Sequence, residues 1–202
     1  LGTLRFDQST PGVTDVISSL TIDRTSTGSV TLGTNVVVGA LTLTNGTLST
    51  GNNIINISGN ITRSSGQLNA SDGTIAFINS SAVSLPASLF SANVNNMTLN
   101  GAGGVNAGSD FTLNGTLTFN NGLLSLGNNH LTLGASAAVS GSPSATSMIV
   151  ADGSGTLRKI FSAVGSFTYP IGDNTGTAEY APVTVNMTAG TFGAGAYVSA
   201  KL

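Results

Sequence analysis

An internal repeat constrains the fold of this chain more than any other feature. Residues 41–57 align with residues 117–133 at an offset of 76, and nine of the 17 positions are identical. Two shorter matches precede this one in the same order: residues 16–22 with 93–99, and residues 2–6 with 73–77. A unit of about 75 residues holds three or four coils of roughly 20 residues, a solenoid-sized repeat. The sequence predicts two copies of this unit, at residues 1–72 and about 73–147.

Each unit consists of short alternating segments separated by Gly and Asn. Apolar residues alternate with Thr, Ser or Asn, and this period of two predicts β-strands with one buried face. Gly and Asn tolerate the positive φ angles that tight corners need. The segments and corners include Leu41/Leu43, Ile55/Ile57, Leu117/Phe119, Leu131/Leu133, Asn45-Gly46, Gly51-Asn52-Asn53, Asn121-Gly122 and Gly127-Asn128-Asn129.

Two architectures are compatible with these signals. Asn-Gly between alternating strands is the usual hairpin signal and would give a β-sandwich. A parallel β-helix uses the same residues as corners between the strands of stacked coils. The repeat, the very short strands, and the hydroxyl and amide residues at outward positions, which can form ladders between coils, favour the second architecture. We therefore predict an all-β chain with a parallel β-helix, a solenoid, over residues 1–147.

Residues 148–202 have a different pattern. Aromatic residues concentrate here, Pro143, Pro170 and Pro182 break the repeat pattern, and three longer segments are predicted as strands, at residues 166–172, 180–187 and 195–201. An open β-helix end exposes unpaired strand edges, so a different terminal module is physically expected. We predict a small antiparallel β module that either caps the solenoid or begins a truncated β-sandwich.

Composition excludes several classes of function. Charged residues make up 7% of the chain and the formal net charge is −2, so binding to nucleic acid is not expected. The absence of Cys excludes disulfides and thiolate metal sites. The longest apolar stretch, residues 36–43, is interrupted by Gly39 and Thr42, so no membrane-spanning segment is predicted. A cysteine-free, neutral, hydroxyl-rich chain is typical of an exported protein.

No group of residues points to catalysis. Enzymes built on parallel β-helices concentrate Asp, Arg, Lys and His in one groove, because general acid–base chemistry needs such groups close together. Here the eight acidic residues are scattered, and although folding could bring Asp72 and Asp152 to one face, nothing selects that pair. His130, the single histidine, takes the place of Ile54 in the first unit, which indicates a partly exposed strand position. We predict a non-enzyme, with no catalytic residue, no metal ligand and no cofactor, and leave binding residues unassigned.

Two motifs allow weaker hypotheses. The loop at residues 173–179 offers oxygen ligands for calcium, but it is shorter and less acidic than most calcium loops. Four Thr-x-Thr pairs place two hydroxyls on one strand face, as ice-binding solenoids do: Thr25/Thr27, Thr42/Thr44, Thr116/Thr118 and Thr175/Thr177. Because Thr42/Thr44 becomes Thr118/Asn120 in the second unit, the pairs are better explained as ordinary outward strand residues.

Several strings carry a resemblance to a known group of proteins. Four segments occur in order, at residues 73–77, 84–90, 94–100 and 117–129. Together they resemble repeats in very large surface proteins of Bacteroidota, and residues 148–159 followed by 166–173 resemble the segment after such repeats. The resemblance implies secretion, typically by the type IX system with its outer-membrane translocon as partner. It also implies display as a long fibrous or adhesin-like molecule.

The expected function is therefore that of a stalk or adhesive segment of a large secreted cell-surface protein. It would act by repetitive, multivalent contact with glycans or surfaces, in an extracellular location. Three alternatives stay open: a polysaccharide-active or glycan-binding β-helix module, an ice-binding solenoid, and a cargo fragment of a secretion system. Both termini look like cuts in a longer chain.

Overall fold

The computed structural model describes residues 2–7, 15–25 and 27–202, and within these ranges the chain is all-β without a helix. The strands are β1 (Gly2–Leu4), β2 (Ile17–Asp23), β3 (Ser29–Leu32), β4 (Val36–Asn45), β5 (Thr47–Ser49), β6 (Ile54–Ile57), β7 (Ile61–Arg63), β8 (Gln67–Asn69), β9 (Thr74–Phe77), β10 (Val83–Ser84), β11 (Asn96–Asn100), β12 (Val105–Asn106), β13 (Phe111–Leu113), β14 (Thr116–Asn121), β15 (Leu124–Ser125), β16 (Leu131–Leu133), β17 (Ala138–Gly141), β18 (Ile149–Val150), β19 (Leu157–Ile160), β20 (Gly165–Tyr169), β21 (Ile171–Asp173), β22 (Glu179–Tyr180), β23 (Val183–Met187) and β24 (Tyr197–Ala200). None of the described residues forms a helix with the length and hydropathy that crossing a membrane requires.

Parallel strands stack as a β-solenoid of about seven turns. Three consecutive turns show the plan: β11, β12 and β13 lie under β14, β15 and β16, which lie under β17, β18 and β19. One turn takes about 20 residues, as in the pairing of Ile75 with Met97 and of Met97 with Leu117. The prediction of a parallel β-helix is confirmed.

The Asn-Gly dipeptides form corners between sheets, so the alternative hairpin interpretation is wrong. Gly46 (φ +78°) connects β4, in an eight-stranded sheet, to β5, in a separate four-stranded sheet. Gly122 (φ +100°) connects β14 of the eight-stranded sheet to β15 of a six-stranded sheet. In both places the strands before and after the corner belong to different sheets. The strand after the corner therefore pairs with a strand one turn away and not with its neighbour in sequence.

A continuous hydrophobic core runs through the solenoid. Alternate residues of each strand point inward and stack on their register partners, as a period-two pattern requires. Two buried columns of the eight-stranded sheet are Ile55–Ile75–Met97–Leu117 and Ile57–Phe77–Leu99–Phe119. Burial of one such side chain contributes roughly 1.5–3 kcal/mol as an upper estimate.

The C-terminal part adds antiparallel strands to the last turn. Parallel pairing continues past residue 147, since β19 pairs with β16 and β21 pairs with β18. The three antiparallel pairings are β19 with β24, β21 with β22, and β20 with β23. Tyr169 at the end of β20 is fully buried, and its hydroxyl donates to the Val198 carbonyl at 3.0 Å. These strands therefore cover part of the core and part of the strand edge that the last turn leaves open.

Candidate functional site

An uncharged polar surface lies on the outside of the eight-stranded sheet. We define the hydroxyl/amide face as Asn56, Thr74, Asn96, Thr98, Thr116, Thr118 and Ser140, all half-buried outward residues of β6, β9, β11, β14 and β17. One column passes in register from Asn56 through Ala76 and Thr98 to Thr118 and Ser140. The face thus spans five successive strands without a charged residue.

Hydrogen bonds between turns order this face. The hydroxyl oxygens of Thr118 and Ser140 lie 2.8 Å apart, and Asn96 Oδ1 accepts the Thr116 backbone N–H at 2.8 Å. The same device occurs nearer the N-terminus, where the Thr42 and Thr62 hydroxyl oxygens lie 3.1 Å apart. Such ladders fix the side chains and leave their remaining donors and acceptors for solvent or a ligand.

The Thr-x-Thr pairs do not form a flat array. Thr116/Thr118 lies on the hydroxyl/amide face, but the register partners in the adjacent turns are Asn96/Thr98 and Ala138/Ser140. Thr42/Thr44 lies in β4, whereas Thr25/Thr27 and Thr175/Thr177 lie outside the strands. A single threonine column, Thr21–Thr42–Thr62, crosses three strands, but the paired columns of an ice-like lattice do not continue from turn to turn at the described Thr-x-Thr pairs.

The repeated Gly-Asn-Asn corners have a structural role. Asn53 Nδ2 donates to the Leu32 carbonyl at 2.7 Å, and Asn129 Nδ2 donates to the Ala107 carbonyl at 2.9 Å. In both corners the asparagine backbone N–H also closes a turn, to Thr50 at 3.0 Å and to Leu126 at 2.9 Å. Residues 76 positions apart thus make the same contact with the preceding turn.

His130 lies half-buried directly before β16. Its Nδ1 accepts the Thr156 backbone N–H at 3.1 Å, and the Thr156 hydroxyl lies 2.9 Å from the same nitrogen. The His130 backbone N–H donates to Asp110 Oδ1 at 2.8 Å. The ring thus serves as an acceptor between two turns.

Asp72 and Asp152 have different neighbours, whereas Asp152 lies beside Asp173 next to Thr175. Asp72 is exposed next to the Ser71 hydroxyl at 3.2 Å, whereas Asp152 lies 3.5 Å from the Thr175 hydroxyl. In the loop at residues 173–179, the Thr175 backbone N–H donates to Asp173 Oδ1 at 2.6 Å and lowers the pKa of that carboxyl. Across residues 2–7, 15–25 and 27–202, no group of three or more His, Asp or Glu side chains is placed to hold a metal ion.

Two concave sites were not anticipated from the sequence. One is a groove of about 460 Å³ lined by Phe90, Ser91, Ala92, Asn93, Asp110, Phe111, Thr112 and Thr132. The other is a cleft of about 610 Å³ between β17 and β20, with Lys159 among its lining residues. The separation of 21 residues between Phe90 and Phe111, close to one turn, is the sequence signal that would have placed these two rings side by side.

Comparison with family models, curated proteins and solved structures found no match for this chain. The fold therefore defines its class, a β-solenoid with added antiparallel strands, and the resemblance to Bacteroidota surface repeats stays a prediction.

Proposed function

We propose that this chain is a non-enzymatic stalk or adhesive segment of a large secreted cell-surface protein, and that it acts by repetitive contact through the hydroxyl/amide face. The observation that carries the proposal is the continuity of this uncharged face over five stacked strands. Display outside the cell and export through a type IX translocon are part of the proposal, supported by the sequence resemblance.

The stacking favours a stalk. Each turn adds about 4.8 Å to the solenoid, because that is the spacing of hydrogen-bonded strands. Every added turn also buries its inward residues against the turn below, so length and stability increase together. A long array of such units would hold its ends apart and present the same face many times.

The chemistry of the face favours weak, additive contacts. Hydroxyl and amide groups donate and accept hydrogen bonds without a fixed charge, so they suit neutral surfaces rich in hydroxyls. Linking several copies raises the overall affinity without any new contact. Since no charge is involved, added salt should change this affinity little.

The test compares one copy with four copies joined by flexible Gly/Ser linkers, on an uncharged hydroxyl-terminated monolayer and on a cellulose film. We expect dissociation to slow by at least about tenfold from one to four copies. Raising the salt from about 50 mM to about 500 mM should change binding by less than about twofold. Failure of the four-copy array to bind either surface would remove the adhesive part of the proposal and leave a spacer.

A matched pair of variants locates the contact. Thr98→Lys in every copy places a charge in the middle of the hydroxyl/amide face and should weaken retention. Thr188→Lys, at an exposed position outside the strands, adds the same charge elsewhere and should leave retention unchanged. Equal effects of the two variants would rule out this face as the binding surface.

A further inference from the structure

A groove opens where one stack of strands gives way to another. The four-stranded sheet that ends at β8 continues only as a single bridge between Leu68 and Phe90. The sheet that starts at β13 is preceded by a single bridge between Val94 and Leu113. Residues 91–93 lie between these bridges and are exposed. The interruption produces a groove of about 460 Å³, a size in the usual range of ligand sites, about 300–1,000 Å³.

The groove combines aromatic rings with polar groups. Phe90 and Phe111 are both half-buried, and their ring centres lie 5.6 Å apart at an interplanar angle of 44°. Thr112 and Thr132, which are register partners, also line it. The remaining lining residues are Ser91, Ala92, Asn93 and Asp110.

The carboxylate of this groove is held in place. Asp110 Oδ1 accepts the His130 backbone N–H at 2.8 Å. A carboxylate has several acceptor sites, so this bond fixes its orientation and leaves the other oxygen able to accept from a ligand hydroxyl. Lys, Arg and His side chains are absent from the lining.

We propose that this groove binds a neutral oligosaccharide, and this proposal rests on the adhesive function proposed above. The C–H face of a pyranose packs against aromatic rings, and its hydroxyls bond to carboxylate, amide and hydroxyl groups. A single carboxylate without a neighbouring cation repels uronates, sialic acids and sulfated sugars. The ligand class is therefore uncharged.

The same geometry favours binding without cleavage. Most glycoside hydrolases use a pair of carboxyl groups on either side of the scissile bond. Asp110 is the one acidic residue that lines this groove. Of the polysaccharide-active and glycan-binding alternatives, this groove therefore favours glycan binding.

The experiment is an NMR titration of the isotope-labelled chain with cellohexaose, mannohexaose and chitohexaose as neutral probes and trigalacturonate as the anionic one. We expect at least one neutral probe to shift the signals of residues 90–93, 110–112 and 132, and trigalacturonate to shift none. The assignment would be overturned if none of the neutral probes gave saturable signal shifts. It would also be overturned if the shifts were confined to the hydroxyl/amide face. If the oligosaccharide became shorter during the titration, the claim that the groove binds but does not cleave it would be wrong.

Two variants and a control test the chemistry of the groove. Asp110→Asn keeps an oxygen that can accept the His130 N–H but removes the charge, and should weaken binding by about tenfold because bonds to charged groups are the stronger ones. Phe111→Leu keeps an apolar side chain but removes the ring face, and should weaken binding with the circular dichroism spectrum unchanged. Asp72→Asn, an exposed carboxylate outside the groove, should have no effect.

The two proposals fail in different ways. Adhesion of the four-copy array to the sugar-free monolayer without any oligosaccharide shift would refute the groove assignment and leave the adhesive function standing. Oligosaccharide binding without array adhesion would refute contact through the hydroxyl/amide face and leave the groove as the binding site.

Discussion

Lys159 lies in parallel register on Leu133 and extends a buried column that runs through Leu113 and Leu133. It is only 6% exposed, so its aliphatic part continues the core. Its Nζ donates to three backbone carbonyls of the turn below: Gly134 at 2.6 Å, Ala135 at 2.8 Å and Ala137 at 2.8 Å. One lysine thus extends the hydrophobic column and also donates hydrogen bonds to the backbone carbonyls of the corner that follows β16.

Replacing this lysine should destabilise the chain. Lys159→Met keeps a long apolar side chain but removes the donor to all three carbonyls. We expect the free energy of unfolding to fall by about 2–3 kcal/mol, because lost bonds to a charged donor outweigh the relief of a desolvated ammonium. Denaturant unfolding measures this, with the exposed Lys201→Met as control. An increase in stability would show that desolvation of the ammonium dominates.

Stability should fall in strong alkali because of Tyr169. Burial raises the pKa of its hydroxyl to about 12, whereas the unfolded value is about 10. A pKa raised by folding contributes stability that is complete below pH 10 and is lost as the pH rises from 10 to 12. Two pKa units correspond to about 2–3 kcal/mol.

Tyr169→Phe should flatten this decline, at a constant cost of about 1 kcal/mol for the lost bond to Val198. The measurement is the denaturant midpoint between pH 9 and 12. Burial also raises the pKa of Tyr180 and lowers that of Lys159. The lowered pKa of Lys159 acts in the opposite sense and raises stability while the unfolded lysine titrates around its ordinary pKa of 10.5, so the decline near pH 12 comes mainly from the tyrosines. The Tyr180→Phe variant then separates the contribution of Tyr180 to the alkaline decline from that of Tyr169. A decline that persists unchanged in Tyr169→Phe would assign it to other groups.

The sequence determined the solenoid because its signals are local and repeated. The corner at residues 51–53 and its copy at 127–129 combine a positive-φ glycine with an asparagine that bonds to the previous turn. The two copies lie between different pairs of sheets, β5 and β6 at 51–53 and β15 and β16 at 127–129, so the repeat marks where strands end but not the length of one turn. Alternation of apolar and polar residues likewise identified the inward columns.

Features that depend on contacts between turns could not be predicted in the same way. Parallel and antiparallel strands share one alternation pattern, so the continuation of parallel pairing to β21 was not visible. A lysine in a core column contradicts hydropathy, and only the carbonyls around Lys159 explain it. The groove depends on the interruption between two sheets, which the spacing of Phe90 and Phe111 does not reveal even though that spacing places the two rings together.

The corner asparagines should be energetically equivalent. Asn53→Ala and Asn129→Ala each remove a bond to the preceding turn and should each lower the free energy of unfolding by about 1 kcal/mol. The exposed neighbour Asn52→Ala provides the control and should change it by less than about 0.5 kcal/mol. If only one of the two variants lowered the free energy of unfolding, the two corners would be equivalent in sequence but not in their contribution to stability.

Two glycines should be irreplaceable because the turn below occupies the space of a side chain. A Cβ at Gly73 would overlap the Asn53 backbone oxygen, and a Cβ at Gly155 would overlap that of Asn129. Gly73→Ala and Gly155→Ala should each lower the free energy of unfolding by about 1–3 kcal/mol, the usual cost of overpacking. Gly193, with open space around its Cβ position, is the matched control, and Gly193→Ala should be neutral or stabilising by up to about 1 kcal/mol. Thermal unfolding of the three variants checks this, and equal melting temperatures would show that the turns can separate enough to admit a methyl group.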